Sequence, residues 1–547
     1  MISQFISDLR REFQGYNAKK FTNDLLAGFT VAAVALPLAL AFGVGSGATA
    51  AAGLITAIIA GFLMSALSGA SYQISGPTGA MTAVLIGLSQ KYDFNGVLMV
   101  CLIAGVILVI TALLRCGKLV TYIPTPVITG FTSGIAIIIA LGQIDNFFGT
   151  HSAGASALDK LGSYFQLGFV PDIPTLAIGL FVVLVMVFWP KKLGARVPSS
   201  LVGIILSVIL CAVFSIDVPT VGEIPRTLLP ENRLTLAGIH WAQIPEYIVP
   251  AISIAALGMI ESLLCGAAAG RMKGERLNAD RELLAQGIGN IVIPFFGGVP
   301  ATAAIARTSV AIKSGCETRL CGIIHAVGLL LSMFVLGSFM SRIPLSALAG
   351  VLMVTAWRMN EWENIRYMFR KKLKSGIVMF LVTMASTVVF DLTIAILIGV
   401  LGSMIFFVAK MAAIDVSLAD IDVNALSENG IELAAEHHHT KMVYITGPIF
   451  FATVEHLSGK LQGLKNQSIV ILSMRAVTLI DTSGAVALLE LCRQYREEGR
   501  QLLFCGVQPK VRATLETAGI LDVVGEEALF WDATAALRHA DGILLEQ

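Results

Sequence analysis

The chain has 547 residues, of which 56% are hydrophobic and only 14% are Asp, Glu, Lys or Arg, where a soluble domain carries roughly 25% charged residues. Its mean hydropathy is +0.79, which excludes a water-soluble protein. With 38 basic and 37 acidic side chains the formal net charge is +1, so bulk charge gives no case for a nucleic-acid partner, and any charge selectivity must be local.

Residues 1–23, with Arg10, Arg11, Lys19 and Lys20, read as an uncleaved cytoplasmic segment, because the apolar run behind them is far too long for the core of a signal peptide. From 25 to 90 there is no Asp, Glu, Lys, Arg or His. A membrane helix needs about 20 apolar residues, and the pattern predicts fourteen spans, near 24–43, 50–68, 76–90, 95–114, 122–142, 174–190, 198–216, 245–270, 281–297, 301–313, 319–341, 344–357, 374–391 and 393–411. These make a transmembrane domain over 24–411. The eight cysteines are dispersed, without a CxxC pair or a zinc spacing, and read as small buried hydrophobes.

Lys and Arg concentrate in cytoplasmic loops, and with the N-terminus inside, the predicted inner loops hold Arg115 and Lys118, Lys191, Lys192 and Arg196, Arg271 to Arg281, and Arg366 to Lys374. The outer loops are richer in acid (Asp145, Asp159, Asp172, Asp217, Glu223, Glu231, Glu246). An even number of spans returns the chain to the cytoplasm. Residues 412–440 are acidic and loop-like and predict a linker, with the run His437-His438-His439 read as solvated. Residues 441–547 alternate strands (442–445, 469–473, 502–505) with helices (453–463, 484–499, 509–518), which predicts a small cytoplasmic α/β domain. Its loop Ile480-Asp481-Thr482-Ser483-Gly484 caps a long helix, and no GxxxxGKS/T loop is present, which argues against an ATP-driven pump.

The spans hide a repeat. Ile123-Pro124 opens span 5 with Gly130 six residues past the proline, and Ile343-Pro344 opens span 12 with Gly350 at the same offset. Pro77 lies 47 residues before Pro124 and Pro300 lies 44 before Pro344. Two sets of seven spans follow, and an odd number inverts the second set. Spans 3 and 10, in matching positions, are short and begin Ser75-Gly76-Pro77-Thr78-Gly79 and Gly297-Gly298-Val299-Pro300-Ala301-Thr302. Each reads as the start of a half-helix, and two half-helix N-termini facing each other at the midplane suit an anion. Ionisable groups inside a bilayer are rare and mark function; the deep ones here are Glu261 in span 8, read as a proton-coupling carboxylate, and Arg307 in span 10, read as an anion contact, with a mutual salt bridge as the alternative for both. Asp391 reads as a helix cap and His325 as a packed helix residue.

Taken together, Leu36-Pro37 through Ala41-Phe42, Ser75-Gly76-Pro77, Ile260-Glu261-Ser262-Leu263-Leu264, Phe295-Phe296-Gly297-Gly298, Ala306-Arg307-Thr308 and the α/β tail, in this order, resemble the SulP (sulfate permease) family with a terminal STAS domain. The resemblance implies a seven-plus-seven inverted repeat with a core domain (spans 1–4 and 8–11) and a gate domain (5–7 and 12–14), elevator-type alternating access and a homodimer in the inner (plasma) membrane. It implies no enzyme activity and no cofactor or resident metal. By resemblance the anion lies against Phe42, the N–H groups after Pro77 (Thr78, Gly79) and those of Thr302, Ala303 and Ala304, in the field of Arg307, and Glu261 takes the coupling proton. Ala306 and Leu38 stand where animal members often carry polar residues, which argues against animal-type chloride exchange. Ser483 matches a serine that is phosphorylated in soluble relatives of the tail. The expectation is proton-coupled uptake of a small inorganic anion, sulfate first, with sodium-coupled bicarbonate or C4-dicarboxylate transport, or anion exchange, as alternatives.

Overall fold

The structure, a computed structural model, describes residues 2–118, 123–153, 157–190, 197–239, 241–390, 392–412, 414–428 and 431–546. It divides into two compact units, Met1–Leu401 and Gly402–Gln547.

The first unit is helical. Helix α1 (Ile2–Glu12) precedes α2 (Ala18–Gly45), α3 (Ala50–Leu67), α4 (Gly79–Lys91), α5 (Phe94–Leu113) and α6 (Thr125–Gly142). Two short helices, α7 (Ile144–Phe148) and α8 (Ala157–Leu167), lead to α9 (Ile173–Phe188) and α10 (Ser199–Phe214). The second half runs α11 (Ile244–Lys273), α12 (Ala279–Val292), α13 (Ile305–Lys313), α14 (Leu320–Met340) and α15 (Leu345–Met359), then the short α16 (Trp362–Arg370), α17 (Lys374–Val389) and α18 (Leu392–Met411). Fourteen of these helices occupy the fourteen expected spans; α1, α7, α8 and α16 were not foreseen. Thr49, Asp93, Asp172 and Asn278 cap α3, α5, α9 and α12 by accepting the N–H three residues on, and prolines occupy the first turn of α6, α9 and α11, where a missing N–H is harmless. Asp391 and the inner-loop residues Lys191, Lys192 and Arg196 lie outside the described residues.

The packing repeats itself with the sequence. Helix α5 lies on α12 and α11, and their counterparts α14, α3 and α2 meet in the same way. Helix α6 lies on α17 as α15 lies on α9. Backbones come very close at these contacts: a Cβ on Gly105 of α5 would sit 2.6 Å from the Ile291 nitrogen, and one on Gly287 of α12 would sit 2.8 Å from the Val109 nitrogen. Small residues at such crossings let dispersion replace the hydrophobic drive that lipid does not supply.

Helices α1, α2, α3 and α12 and the segment before α14 are also joined by charged side chains. Asp24 of α2 accepts from the N–H groups of Glu317 and Thr318 at 2.7 and 3.0 Å. Asp8 and Glu12 of α1 pair with Arg281 and Arg319, each at 2.7 Å. Both guanidinium groups also reach back to the end of α3, Arg281 to the Ser68 carbonyl and Arg319 to the Ala66 carbonyl. The amphipathic α1 therefore ties three hairpins of one helix set together.

The second unit holds a five-stranded sheet in sequence order, β3 (Asp415–Asp420), β4 (Thr440–Thr446), β5 (Ile469–Ala476), β6 (Gln501–Cys505) and β7 (Leu529–Phe530). Strand β3 is antiparallel to β4, and β4 through β7 are parallel. Helices α19 (Val423–Glu428), α20 (Val454–Gln462), α21 (Thr482–Glu497), α22 (Pro509–Thr517), α23 (Ile520–Val524) and α24 (Ala533–Glu546) connect and cover it. Two expectations are corrected. The stretch 412–440 is not simply loop, because β3 completes the sheet edge from within it. His437 is not solvated: it is 4% exposed and its ring lies 3.2 Å from Asp541 and 3.3 Å from Thr440. Asp481 caps α21 as expected, accepting the Gly484 N–H at 2.8 Å, and Ser483 is exposed in the first turn.

Candidate functional site: two half-helices on one ribbon

Helices α4 and α13 have 13 and 9 residues, about 20 and 14 Å at 1.5 Å per residue, so neither crosses a hydrocarbon core of about 30 Å. Extended chain completes each path. Strand β1 (Ser75–Gly76) pairs antiparallel with β2 (Thr302–Ala303), Ser75 opposite Ala303 and Gly76 opposite Thr302. Because the strands are antiparallel and each feeds its own helix, the N-termini of α4 and α13 start from one ribbon and point apart.

Polar side chains hold the ribbon, whose residues are buried and whose backbone groups each need a partner. Thr56 of α3 accepts the Val299 N–H at 2.7 Å. Asn290 of α12 grips both sides of the Ala301 residue, accepting its N–H at 2.8 Å and donating to its carbonyl at 2.9 Å. One turn earlier Gln286 donates to Ser75 Oγ at 2.8 Å and to Glu282 at 2.7 Å, and Glu282 accepts from the Ser68 hydroxyl and the Gly69 N–H at 2.6 and 2.9 Å. Ser262 of α11 shares a hydrogen bond with Thr302 at 2.7 Å, and Thr308 Oγ1 accepts the Ile74 N–H at 3.1 Å.

Arg307 is the third residue of α13 and is 1% exposed. Its Nη2 donates to the Pro77 carbonyl at 2.6 Å, which ties one half-helix to the other. Its Nη1 is buried and has no partner among the described residues. A cation in the first turn of a helix sits at the positive end of the dipole, an arrangement that costs about 0.3–1 kcal/mol or more when partly buried. An anion nearby relieves it. Gly76 makes room: its φ is +157°, and a Cβ there would come within 2.5 Å of Arg307 Nη1.

Glu261, half-buried on α11, accepts from the Thr78 hydroxyl at 2.9 Å. Thr78 is the N-cap of α4 and also reaches the Met81 N–H at 3.4 Å. Among the described residues Glu261 and Arg307 form no ion pair within 4 Å; their hydrogen-bond partners are Thr78 and Pro77 instead. Both line a cavity of about 1730 Å³ bounded by α11 and α13 on one side and α6 and α15 on the other. The related helices α2 and α4 also line it, and they pack against α15 and α6.

Of the expected anion contacts, Phe42, Thr78, Gly79, Ala304 and Arg307 line this cavity. Pro77 contributes its carbonyl to Arg307. The N–H groups expected of Ala303 and Ala304 are already used, by Ser262 Oγ at 3.3 Å and by the Ile74 carbonyl at 2.9 Å, and Thr302 lies fully buried in the ribbon. From α13 the cavity is lined by the first-turn residues Ile305, Ala306 and Arg307. Sequence reasoning missed Glu282, Gln286 and Asn290. Their signal was polar residues at i, i+4 and i+8 along one face of an apolar span.

A membrane-embedded carrier of small anions is the class that this fold defines, and the comparisons bear on the family. The sulfate permease family matches residues 21–383, and the STAS domain matches residues 433–535. The chain belongs to the sulfate permease family. It is 34% identical over 534 residues to YvdB of Bacillus subtilis (strain 168), provisionally named a sulfate transporter, covering 95% of this chain and 97% of that protein. It is 30% identical over 538 residues to the bicarbonate transporter BicA of Synechocystis sp., covering 95% and 94%. Among solved structures, the murine anion transporter Slc26a9 in its inward-facing state matches with a TM-score of 0.83 at 19% identity, covering 95% of this chain and 91% of that one.

Proposed function

We propose that the chain takes up a small inorganic anion, sulfate first, by proton symport, moving the ribbon and its two half-helices as one body past α6, α9, α10, α15, α17 and α18. The observation that carries this reading is the buried Nη1 of Arg307, without a partner among the described residues, at a helix N-terminus that lines the cavity. A site with a fixed positive end and one free donor favours an anion over a cation or a neutral solute. Glu261 is the coupling group, since its bond to the α4 cap Thr78 lets its protonation alter the N-terminus that faces the anion. The charged contacts that join α1, α2, α12 and the segment before α14 support a rigid moving body. We further read the protein as a homodimer in the plasma membrane with both termini cytoplasmic. Sodium-coupled bicarbonate transport is the second reading, favoured by the likeness to BicA.

The test is uptake of labelled sulfate, bicarbonate and succinate by proteoliposomes under an imposed proton or sodium gradient. Sulfate accumulation that follows the proton gradient is expected. Accumulation of bicarbonate under sodium alone selects the second reading, and uptake of none of the three ends both. In Glu261→Gln, downhill sulfate flux should persist while accumulation against a gradient and the dependence of rate on pH disappear; intact accumulation would remove Glu261 from coupling.

A further inference from the structure

The connection between α6 and α9 distributes its side chains the wrong way round for water. In α8, which lies on α6 and α17, the hydroxyls turn inward: buried Ser163 accepts the Ala153 N–H at 3.0 Å, and Tyr164 donates to Asp145 at 2.8 Å. The apolar side chains turn outward. Phe165 is 92% exposed and Val170 78%, with Leu167 exposed between them. No charged residue occurs from Leu161 to Pro171. Large apolar groups presented together in this way mark an interaction surface.

The tip is held in shape. The Phe169 ring meets Tyr164 and Phe148 edge-on, with centroids 5.4 and 5.2 Å apart. The Gly168 N–H bonds the Tyr164 carbonyl at 3.0 Å and the Asp172 N–H bonds the Phe148 carbonyl at 2.8 Å. What covers the outward groups follows from α9. Ile173, Ala177, Leu180, Leu184 and Val187 recur every three or four residues along that helix and are all exposed, which makes one apolar stripe facing lipid. Helix α9 has 16 residues, about 24 Å at 1.5 Å per residue, short of a hydrocarbon core of about 30 Å. The tip precedes Ile173 and carries the apolar surface past the end of the helix. Helix α10, which packs on α9, is equally short and, as the next span, ends where α9 begins, on exposed Val213 and Phe214.

We propose that Phe165, Leu167 and Val170 form a lipid-anchored foot, seated in the interface of the leaflet at which α9 begins. The partner is the acyl region just below the headgroups, and an uncharged tip gives it no preference for anionic lipid. Because α8 lies on α6 and α17, the foot fixes the depth of those helices in the bilayer. The inference does not depend on which anion is carried.

Nitroxides are placed singly by F165C, L167C and V170C in the full-length chain in phosphatidylcholine vesicles, with E223C in another loop as the aqueous reference. Cys116 and Cys211, the two half-buried cysteines, are replaced by Ser, and the other six are buried. At the three tip positions oxygen, which partitions into the bilayer, should relax the spin more than an aqueous nickel chelate does, at a depth of roughly 5–10 Å. At E223C the order should reverse. Stronger relaxation by the nickel chelate at the tip overturns the proposal. Shielding from both agents overturns it too, because a second copy of the chain or another protein then covers the tip.

A second measurement leaves the native cysteines in place. Thermal midpoints of the wild type and of F165Q/L167Q/V170Q are compared in dimyristoyl and in dieicosenoyl phosphatidylcholine. The variant should melt below the wild type in the thicker, dieicosenoyl bilayer and together with it in the thinner one, since a shorter apolar surface suits a thinner membrane. Equal midpoints in both lipids overturn the foot. A loss of the same size in both lipids does so as well, because the side chains would then support only the fold of their own loop.

Discussion

Helix α4 begins on Thr78, whose hydroxyl caps it and at the same time bonds Glu261, whereas α13 begins on Ala304 without a side-chain cap and carries Arg307 in its first turn. The first repeat brings an aromatic ring, Phe42, a carbonyl, that of Pro77, and the conformational freedom of Gly76. Nearly all the ionisable and amide chemistry belongs to the second: Glu261, Ser262, Gln286, Asn290, Thr302 and Arg307. A symmetric scaffold has thus acquired an asymmetric site. The half that is stable by ordinary capping supplies shape, and the half that sets a cation against a helix dipole supplies charge.

The comparison is broken most directly at Arg307. Arg307→Ala should lower the initial rate of anion uptake by roughly 100-fold, since truncating one member of a buried charged hydrogen bond costs about 2–5 kcal/mol; a variant that transports normally while remaining folded would reduce Arg307 to a structural tie. Gly76→Ala attacks the same group from the first repeat. Its methyl would meet Nη1 at 2.5 Å, and overpacking of about 1–3 kcal/mol should show as about a tenfold loss of rate with expression unchanged. An unaltered rate would mean that Arg307 is free to move aside.

Asn290→Ala orphans the Ala301 N–H and carbonyl together, at about 1–3 kcal/mol for each unsatisfied group. The thermal midpoint of the purified protein should fall, and by more than in Thr56→Ala, where the Val299 N–H loses its acceptor but the Val299 carbonyl loses only a 3.1 Å share of a hydroxyl that also bonds the Ala52 carbonyl. Equal shifts would show that the two supports are equivalent. The smallest change is expected for Thr78→Ala. Loss of an N-cap costs about 0.5–2 kcal/mol, so a rate reduced by a few-fold is expected, together with an altered pH dependence because Glu261 loses its donor. Thr78→Ser, which keeps the hydroxyl, should restore both.

Much of this was legible because a bilayer enforces simple rules. Apolar run length placed the fourteen spans, and paired Gly-Pro interruptions at Pro77 and Pro300 located both half-helix starts. Glu261 and Arg307 stood out because charges in apolar spans are costly. What the sequence did not convey is which N–H groups remain free once a ribbon forms. Ala303 and Ala304 looked available from their place before a helix, but antiparallel pairing with residues more than 220 positions away and the Ser262 hydroxyl had already claimed them. The short helix α7 and the sheet edge β3 were overlooked for a related reason: five or six residues carry little periodicity of their own. His437 belongs with them, since its burial depends on Asp541.

The ribbon of Ser75–Gly76 with Thr302–Ala303 has one further consequence. With Arg307 also bonded to the Pro77 carbonyl, the two halves of the binding site are cross-linked and cannot part without orphaning buried backbone groups. In the proposed transport cycle an anion would then meet the same donors at the same spacing whichever side is open, and discrimination among anions would be a property of the ribbon that does not change in transit. Any difference in apparent affinity between the two faces of the membrane then measures the approach to the site, not the site itself.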